Sequence, residues 1–287
     1  MDSIELGPYG VKYDRELVLA SRSENLLVTT NTYLPMGCLR QSLKGSKLHI
    51  TTEFPERLTE KGLPVSLTLE MDINPETDLT GEWIECNKGY AGYKYPEDVC
   101  KWFSAAIEKD VVALRSSMTR TVKLNPKRLI FDKSDARKTF TSDAALHIIN
   151  KTSVEDLERR VEERYPDGLE NMFCATETFR ANIVLDTGVA FSEDNFFELR
   201  AGSVLMRNCG PCIRCNTIRI NWDKHCKVKD MEPYNTLAGF RTAKGLGVMF
   251  GMYYQMEMLD NNRIYSKVLP TSLGYKTFAE SSKKNPL

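Results

Sequence analysis

Half of the chain's eight cysteines fall in one short stretch: Cys209, Cys212, Cys215 and Cys226. The first three form C-x2-C-x2-C, a spacing that suits an iron–sulfur cluster, with Cys226 available as a fourth ligand. The same four suit a structural zinc, with the adjacent His225 as an alternative ligand. Cys209-Gly210-Pro211-Cys212 is in addition a C-x-x-C dithiol, the redox type of motif. A single reactive or metal-ligating thiolate is a further reading, and the neighbouring Arg207 and Arg214 favour it, because positive charge stabilises anionic sulfur. Against all of these, Cys215 precedes the alternating Thr217-Ile218-Arg219-Ile220 and reads equally well as an ordinary strand residue, with Cys226 in a loop. Spacing alone leaves these alternatives open.

Composition narrows the setting. The 287 residues suit one large domain or two small ones, and 41% of them are hydrophobic, enough for a proper core. Lys+Arg and Asp+Glu both number 39, and this balance argues against a dedicated nucleic-acid binder. Eight cysteines without a signal peptide point to a reducing, intracellular and cytoplasmic setting. No apolar run is long enough to span a membrane.

The elements that must position the cysteines read mostly as strands. Leu17-Val18-Leu19 and Leu26-Leu27-Val28 flank the turn-like 21–25 segment, a hairpin signal. Val65, Leu67, Leu69, Met71 and Ile73 alternate with polar residues, as on a half-buried strand. Val99, Trp102, Phe103, Ala106 and Ile107 share one helical face behind Pro96, Glu97 and Asp98. Val111–Leu114 reads as a short strand. In the second half, Leu129-Ile130-Phe131 opens a new apolar stretch, and Ser153-Val154-Glu155-Asp156 has the capping-box pattern of a charged surface helix. Ile183–Leu185, Val204–Met206 and Ile218 with Ile220 read as strands. Val248, Phe250, Met252, Tyr254, Met256 and Met258 alternate as one long strand. The expected class is α+β and mostly β, with strands closing into a barrel to hide their edges.

Several segments resemble the MOSC domain, shared by molybdenum cofactor sulfurases and the mitochondrial amidoxime-reducing component. Phe179-Arg180-Ala181-Asn182-Ile183-Val184 is similar to the family's FRPNIV. Ser192-Glu193-Asp194-Asn195-Phe196, with Gly202, resembles AEDxW…IG. Cys209-Gly210-Pro211-Cys212-Ile213 resembles its CxRC segment. Ser142-Asp143 with Ser153, Gly10–Arg15 and Phe250-Gly251 match further pieces in the right order. The likeness implies a MOSC β-barrel over 123–287. It also implies an N-terminal barrel-like domain over 1–122, and a few surface helices. Because no pyridoxal-phosphate domain precedes it, the overall likeness leans toward the amidoxime-reducing component.

The resemblance implies molybdenum cofactor (molybdopterin) with Cys212 as its protein metal ligand and catalytic centre. Asp143 is then a catalytic proton donor or orienter, and Arg180, Asn182 and Ser142 are cofactor-binding residues. It implies an oxidoreductase reducing small N-hydroxylated substrates, with a b-type haem cytochrome and a flavin reductase as electron donors. A mitochondrial outer-membrane location is implied if an anchor precedes this form. The second expectation is a non-catalytic carrier of molybdenum cofactor or sulfur, or a module stabilised by zinc or an iron–sulfur cluster. The sequence departs from the family pattern at three places. The chain starts just after the expected lysine loop, Asn31 stands where a TxR arginine is expected, and Ala144-Ala145 replaces a hydroxyl pair. Lys12, Arg22 and Arg40 are candidate replacements for the lost phosphate contacts.

Overall fold

The computed structural model describes residues 4–7, 9–86, 90–116, 121–123, 135–137, 144–202, 204–258, 266–268 and 273–277. The chain is mostly β, its sheets curling into half-barrels, with a few helices. It divides into two compact units. One is Arg15–Thr119, and the other joins Met1–Asp14 to Arg120–Leu287. The first fourteen residues therefore group with the second half of the chain.

In the Arg15–Thr119 unit, the expected hairpin forms between Leu17–Ser21 and Leu27–Val28, with Leu19 opposite Val28. Its sheet continues through Val111–Arg115, Tyr90–Lys94 and Trp83–Cys86, all antiparallel. A second sheet holds Leu39–Lys44, Lys47–Thr52 and Ser66–Glu70. The last of these is shorter than its alternation suggests, and Val65 is exposed. Helix Glu97–Ile107 buries the predicted Val99, Trp102, Phe103, Ala106 and Ile107. Pro96 is its N-cap, and Glu97 and Asp98 lie at its positive end.

The other unit is built on a sheet ordered Ile183–Leu185, Leu146–Asn150, Gly247–Met258, Val204–Ile213, Phe196–Ala201 and Leu273–Thr277. Ile183–Leu185 runs parallel to its neighbour, and the other pairs on this path are antiparallel. The expected long strand Gly247–Met258 forms and Val248, Phe250, Met252, Tyr254 and Met256 are all buried, but not on one face: Val248 and Phe250 belong to one core cluster and Met252, Tyr254 and Met256 to another, and Gln255 between them is buried as well. Two expectations fail locally. Ile218 sits in the 3-10 turn Asn216–Arg219, and only Ile220–Asn221 is extended. Ser153 does not cap the surface helix, which spans Lys151–Arg164 behind Asn150; the Asn150 side chain accepts from the Thr152 N–H. The Leu129-Ile130-Phe131 stretch lies outside the described residues.

The ladder between Val204–Ile213 and Gly247–Met258 is irregular twice. Asn208 pairs with Tyr254 and Gly210 with Tyr253, so Cys209 is an extra residue on its strand. Pro211 then pairs with Met252 and Ile213 with Met249, so Phe250 and Gly251 together stand opposite Cys212. Gly251 has φ 73°, the left-handed conformation found in the glycine type of bulge. A Cβ there would lie 2.6 Å from both the Ile148 carbonyl oxygen and His147 Nε2. Gly251→Ala is therefore expected to cost about 2–4 kcal/mol, from backbone strain plus a steric clash. Chemical denaturation of the variant beside wild type checks this.

Candidate functional site

Cys212 lies in the strand Val204–Ile213 and is 2% exposed. Arg214 Nη1 donates to its sulfur at 2.9 Å. Arg214 Nη2 donates to the Phe179 carbonyl at 3.1 Å, and the guanidinium lies 5.5 Å from the Phe179 ring centroid. The Phe179 ring stacks on Phe250, centroids 3.9 Å apart. One arginine thus ties the cysteine strand to the turn that begins the 179–184 segment. The backbone N–H of Arg214 is itself anchored on the Val248 carbonyl at 2.7 Å.

After Phe179 the chain turns sharply. Arg180 is exposed and has φ 53°, in the left-handed region that an arginine adopts only at a cost. Asn182 follows as a hydrogen-bond hub. Its side-chain oxygen accepts from the His147 N–H at 2.8 Å, and its own N–H donates to the His147 carbonyl at 2.8 Å. The backbone donor fixes which way the amide points. Asn182 Nδ2 is then left to donate to Asp14 Oδ2, at 2.6 Å. Both polar ends of Asn182 are engaged within the protein. Its structural effect is to hold the Arg180 turn against residues 10–14. Gly10 allows the same approach: with φ 127°, a Cβ there would meet the Ala145 carbonyl at 3.0 Å.

The remaining motif residues are braces. Ser153 Oγ lies 2.9 Å from both carboxylate oxygens of the fully buried Glu193 and accepts from the Phe191 N–H at 2.7 Å. Asp194 pairs with Arg241. Burial pushes the Glu193 carboxyl above the usual carboxylate range, although the Ser153 hydroxyl opposes the shift. The sequence pattern flagged Ser153 and Glu193 separately and gave no sign that they meet.

The four cysteines do not gather. Cys209 is buried in a small cluster with Ala144 and Tyr253, Cys215 is exposed beside the Thr217 hydroxyl, and Cys226 is half-buried. Among the described residues no three His, Cys, Asp or Glu side chains are grouped as a metal site. A four-cysteine zinc or iron–sulfur site therefore has no geometric support: Cys209 packs with Ala144 and Tyr253, Cys212 lies against Arg214, and Cys215 is exposed. Of the other cysteines, Cys174 is pushed up to about 12 by burial, which makes it an inert core thiol. Ser142 and Asp143 lie outside the described residues. Ala144 and Ala145 are both buried, so the positions expected to carry hydroxyls are core positions. The candidate replacement cations already have acidic partners. Lys12 pairs with Glu5, Arg22 with Glu97 and Asp110, and Arg40 with Glu53.

These features suit a soft, anionic cofactor. They offer one buried sulfur, a guanidinium against it and an exposed arginine on the adjoining segment. Among the described residues Arg214 Nε is also buried without a hydrogen-bond partner, so the site holds a donor to spare. Comparison with known proteins agrees with the class. The MOSC domain family matches residues 135–264, so the chain carries a MOSC domain. The molybdenum cofactor sulfurase of Solanum lycopersicum is 29% identical over 266 residues, covering 90% of this chain and 31% of that protein. That of Oryza sativa subsp. japonica is 28% identical over 257 residues, covering 86% and 29%. That of Homo sapiens is 25% identical over 276 residues, covering 92% and 30%. The chain spans about three tenths of the length of these relatives. Among the described residues no helix is long and apolar enough to cross a membrane.

Two outcomes are expected. Asn182→Asp keeps the acceptor for His147 but sets a second carboxylate against Asp14. It should destabilise the unit by about 1–3 kcal/mol, the cost of replacing a part-buried donor by a group that cannot donate; urea titration beside wild type reads this. Glu193→Gln removes a carboxyl whose ionised form the fold disfavours. Wild type loses stability from this group as pH rises from the usual carboxylate range through the raised folded value, and glutamine does not titrate. The stability of the variant relative to wild type should therefore improve as pH rises above about pH 4. A flat difference would show that Glu193 does not titrate differently on folding.

Proposed function

We propose that the MOSC-containing unit binds molybdenum cofactor, with the Cys212 sulfur as the protein's metal ligand and Arg180 as a contact for the anionic pterin phosphate. The observation that carries this reading is the Arg214 bridge, which sets the Cys212 sulfur beside the turn that presents Arg180. Thiolate is a soft ligand and suits a metal already held by dithiolene sulfurs. A planar guanidinium suits a phosphate. Asn182 acts by holding the Arg180 turn, since its amide is already bonded to His147 and Asp14. Ser142 and Asp143 are assigned by resemblance alone, as a cofactor contact and a proton donor or orienter.

When bound, the cofactor supplies two-electron redox chemistry at molybdenum. The finer reading is reduction of N-hydroxylated compounds such as amidoximes. Two electrons and two protons enter and water leaves, the electrons coming from a b-type haem cytochrome and its flavin reductase. Likeness to sulfurases favours a second reading, in which the domain holds the cofactor, or a sulfur destined for it, without reducing a substrate. Both readings use Cys212.

The test is molybdenum and pterin content of protein purified from a cofactor-producing host. Near-stoichiometric molybdenum in wild type, falling about tenfold or more in Cys212→Ser, is expected for loss of a direct metal ligand. Full molybdenum in Cys212→Ser would refute the ligand assignment. Benzamidoxime turnover with cytochrome and reductase then separates the two readings: turnover supports the reductase, and none by fully loaded protein supports the carrier.

A further inference from the structure

In the Arg15–Thr119 unit the strand Leu39–Lys44 ends its sheet. It pairs with Lys47–Thr52 and, among the described residues, has no strand on its other side. Its register runs without a bulge from Leu39 opposite Thr52 to Lys44 opposite Lys47. Both ends fix the backbone phase. The Glu53 N–H donates to the Cys38 carbonyl at 3.1 Å, and the hairpin turns on Gly45 and Ser46 alone. Arg40, Ser42 and Lys44 therefore turn their N–H and C=O groups to the neighbouring strand, and Leu39, Gln41 and Leu43 turn theirs outward. The Leu39 N–H is taken by the Met36 carbonyl. Gln41 and Leu43 thus present a backbone edge of the kind that accepts an added strand.

Beyond Leu39 every residue of this strand is exposed, so both of its faces stand clear of the core. One face carries Arg40, Ser42 and Lys44. The other carries Gln41 and Leu43, and Leu43 is 47% exposed. The hairpin from 39 to 52 holds Arg40, Lys44 and Lys47 and no Asp or Glu. The acids beside it are engaged: Glu53 pairs with Arg40, and Glu70, opposite Lys47, accepts from the Met71 and Asp72 N–H groups. Edge cations commonly guard against stray pairing. Here they also select. They repel a second copy of the same basic strand and attract an acidic one, while Leu43 offers an apolar contact on the opposite face.

We propose that Leu39–Lys44 is a docking edge for an extended acidic segment of a partner protein. Carboxylates of that segment lie along the face of Arg40 and Lys44, and its alternate apolar side chains lie beside Leu43. Backbone bonds to Gln41 and Leu43 supply affinity, and the alternation of acid and apolar residues supplies selectivity. The site lies in the Arg15–Thr119 unit and is independent of the cofactor reading.

The probe is a blocked peptide of about eight residues alternating glutamate and valine, with the lysine–valine peptide as control. At saturation the acidic peptide should slow amide hydrogen exchange of Gln41 and Leu43 about tenfold or more. The Ser42 amide, already turned to His49, should not change. Gln41→Pro removes an outward donor without taking a bond from the neighbouring strand, so it should fold and bind the acidic peptide about tenfold or more weakly. Lys44→Glu, at an exposed position, decides the matter by itself should Gln41→Pro not fold, and should weaken binding about threefold or more. Wild-type affinity in the folded variants, equal protection by the lysine peptide, or no protection at about 1 mM acidic peptide would overturn the proposal. Protection of Gln41 and Leu43 that grows with protein concentration alone would overturn it too, by making a second copy of the chain the occupant.

Discussion

The candidate site depends on one irregular ladder. Val204–Ile213 and Gly247–Met258 pair over most of their length, but each contributes one unmatched residue near the middle. Even a regular antiparallel ladder would place Cys209 and Cys212 on opposite faces by simple alternation. The first bulge takes Cys209 into the cluster with Ala144 and Tyr253. The second sets Phe250-Gly251 opposite Cys212 and lets Phe250 stack on Phe179. The bulge is held in place from behind. Asn208 Nδ2 donates to the Phe196 carbonyl, its side-chain oxygen accepts from the Gly210 N–H, and the Tyr254 hydroxyl donates to the same carbonyl. These bonds are fully buried, where an unpaired polar group is costly.

Around this ladder the motif residues divide into those that hold and those that face outward. Asn182 extends the parallel strand pair and reaches Asp14. Ser153 and Glu193 join the surface helix to the 3-10 turn Ser192–Asn195, and Asp194 with Arg241 adds an ion pair beside it. Arg180 is the exception: it is exposed on a left-handed residue, where strain is tolerated because flanking bonds over-determine the turn. Most residues of the signature therefore give rigidity.

Much of this was legible in the sequence, and the rest was hidden for identifiable reasons. Apolar periodicity of two marked the Gly247–Met258 strand and of about 3.6 the 97–107 helix, because burial writes itself into residue type at short range. The Phe179–Val184 segment was recognisable as a motif piece; the CxRC pattern matched to Cys209–Ile213 stands in full, with its arginine, three residues later at Cys212-Ile213-Arg214-Cys215. Spacing could not say that the cysteines disperse, since C-x2-C-x2-C describes a cluster only on a tight loop and here the first two cysteines lie on a bulged strand. Ser153 looked like a helix cap because its local pattern fits one. Its true partner, Glu193, is forty residues away, and local pattern carries no such information. Arg214 was visible only as a nearby positive charge, and its link to the Phe179 carbonyl appears when the fold brings the two segments together.

The central claim is that one cysteine, set apart by a bulge and held by one arginine, is the protein's sulfur ligand to molybdenum. X-ray absorption at the molybdenum edge of cofactor-loaded protein tests it most directly. The account predicts that the molybdenum retained by Cys212→Ser has a sulfur shell with one scatterer fewer, and that the shell is unchanged in Cys215→Ser. An identical sulfur shell in Cys212→Ser, or a loss in Cys215→Ser, would contradict it.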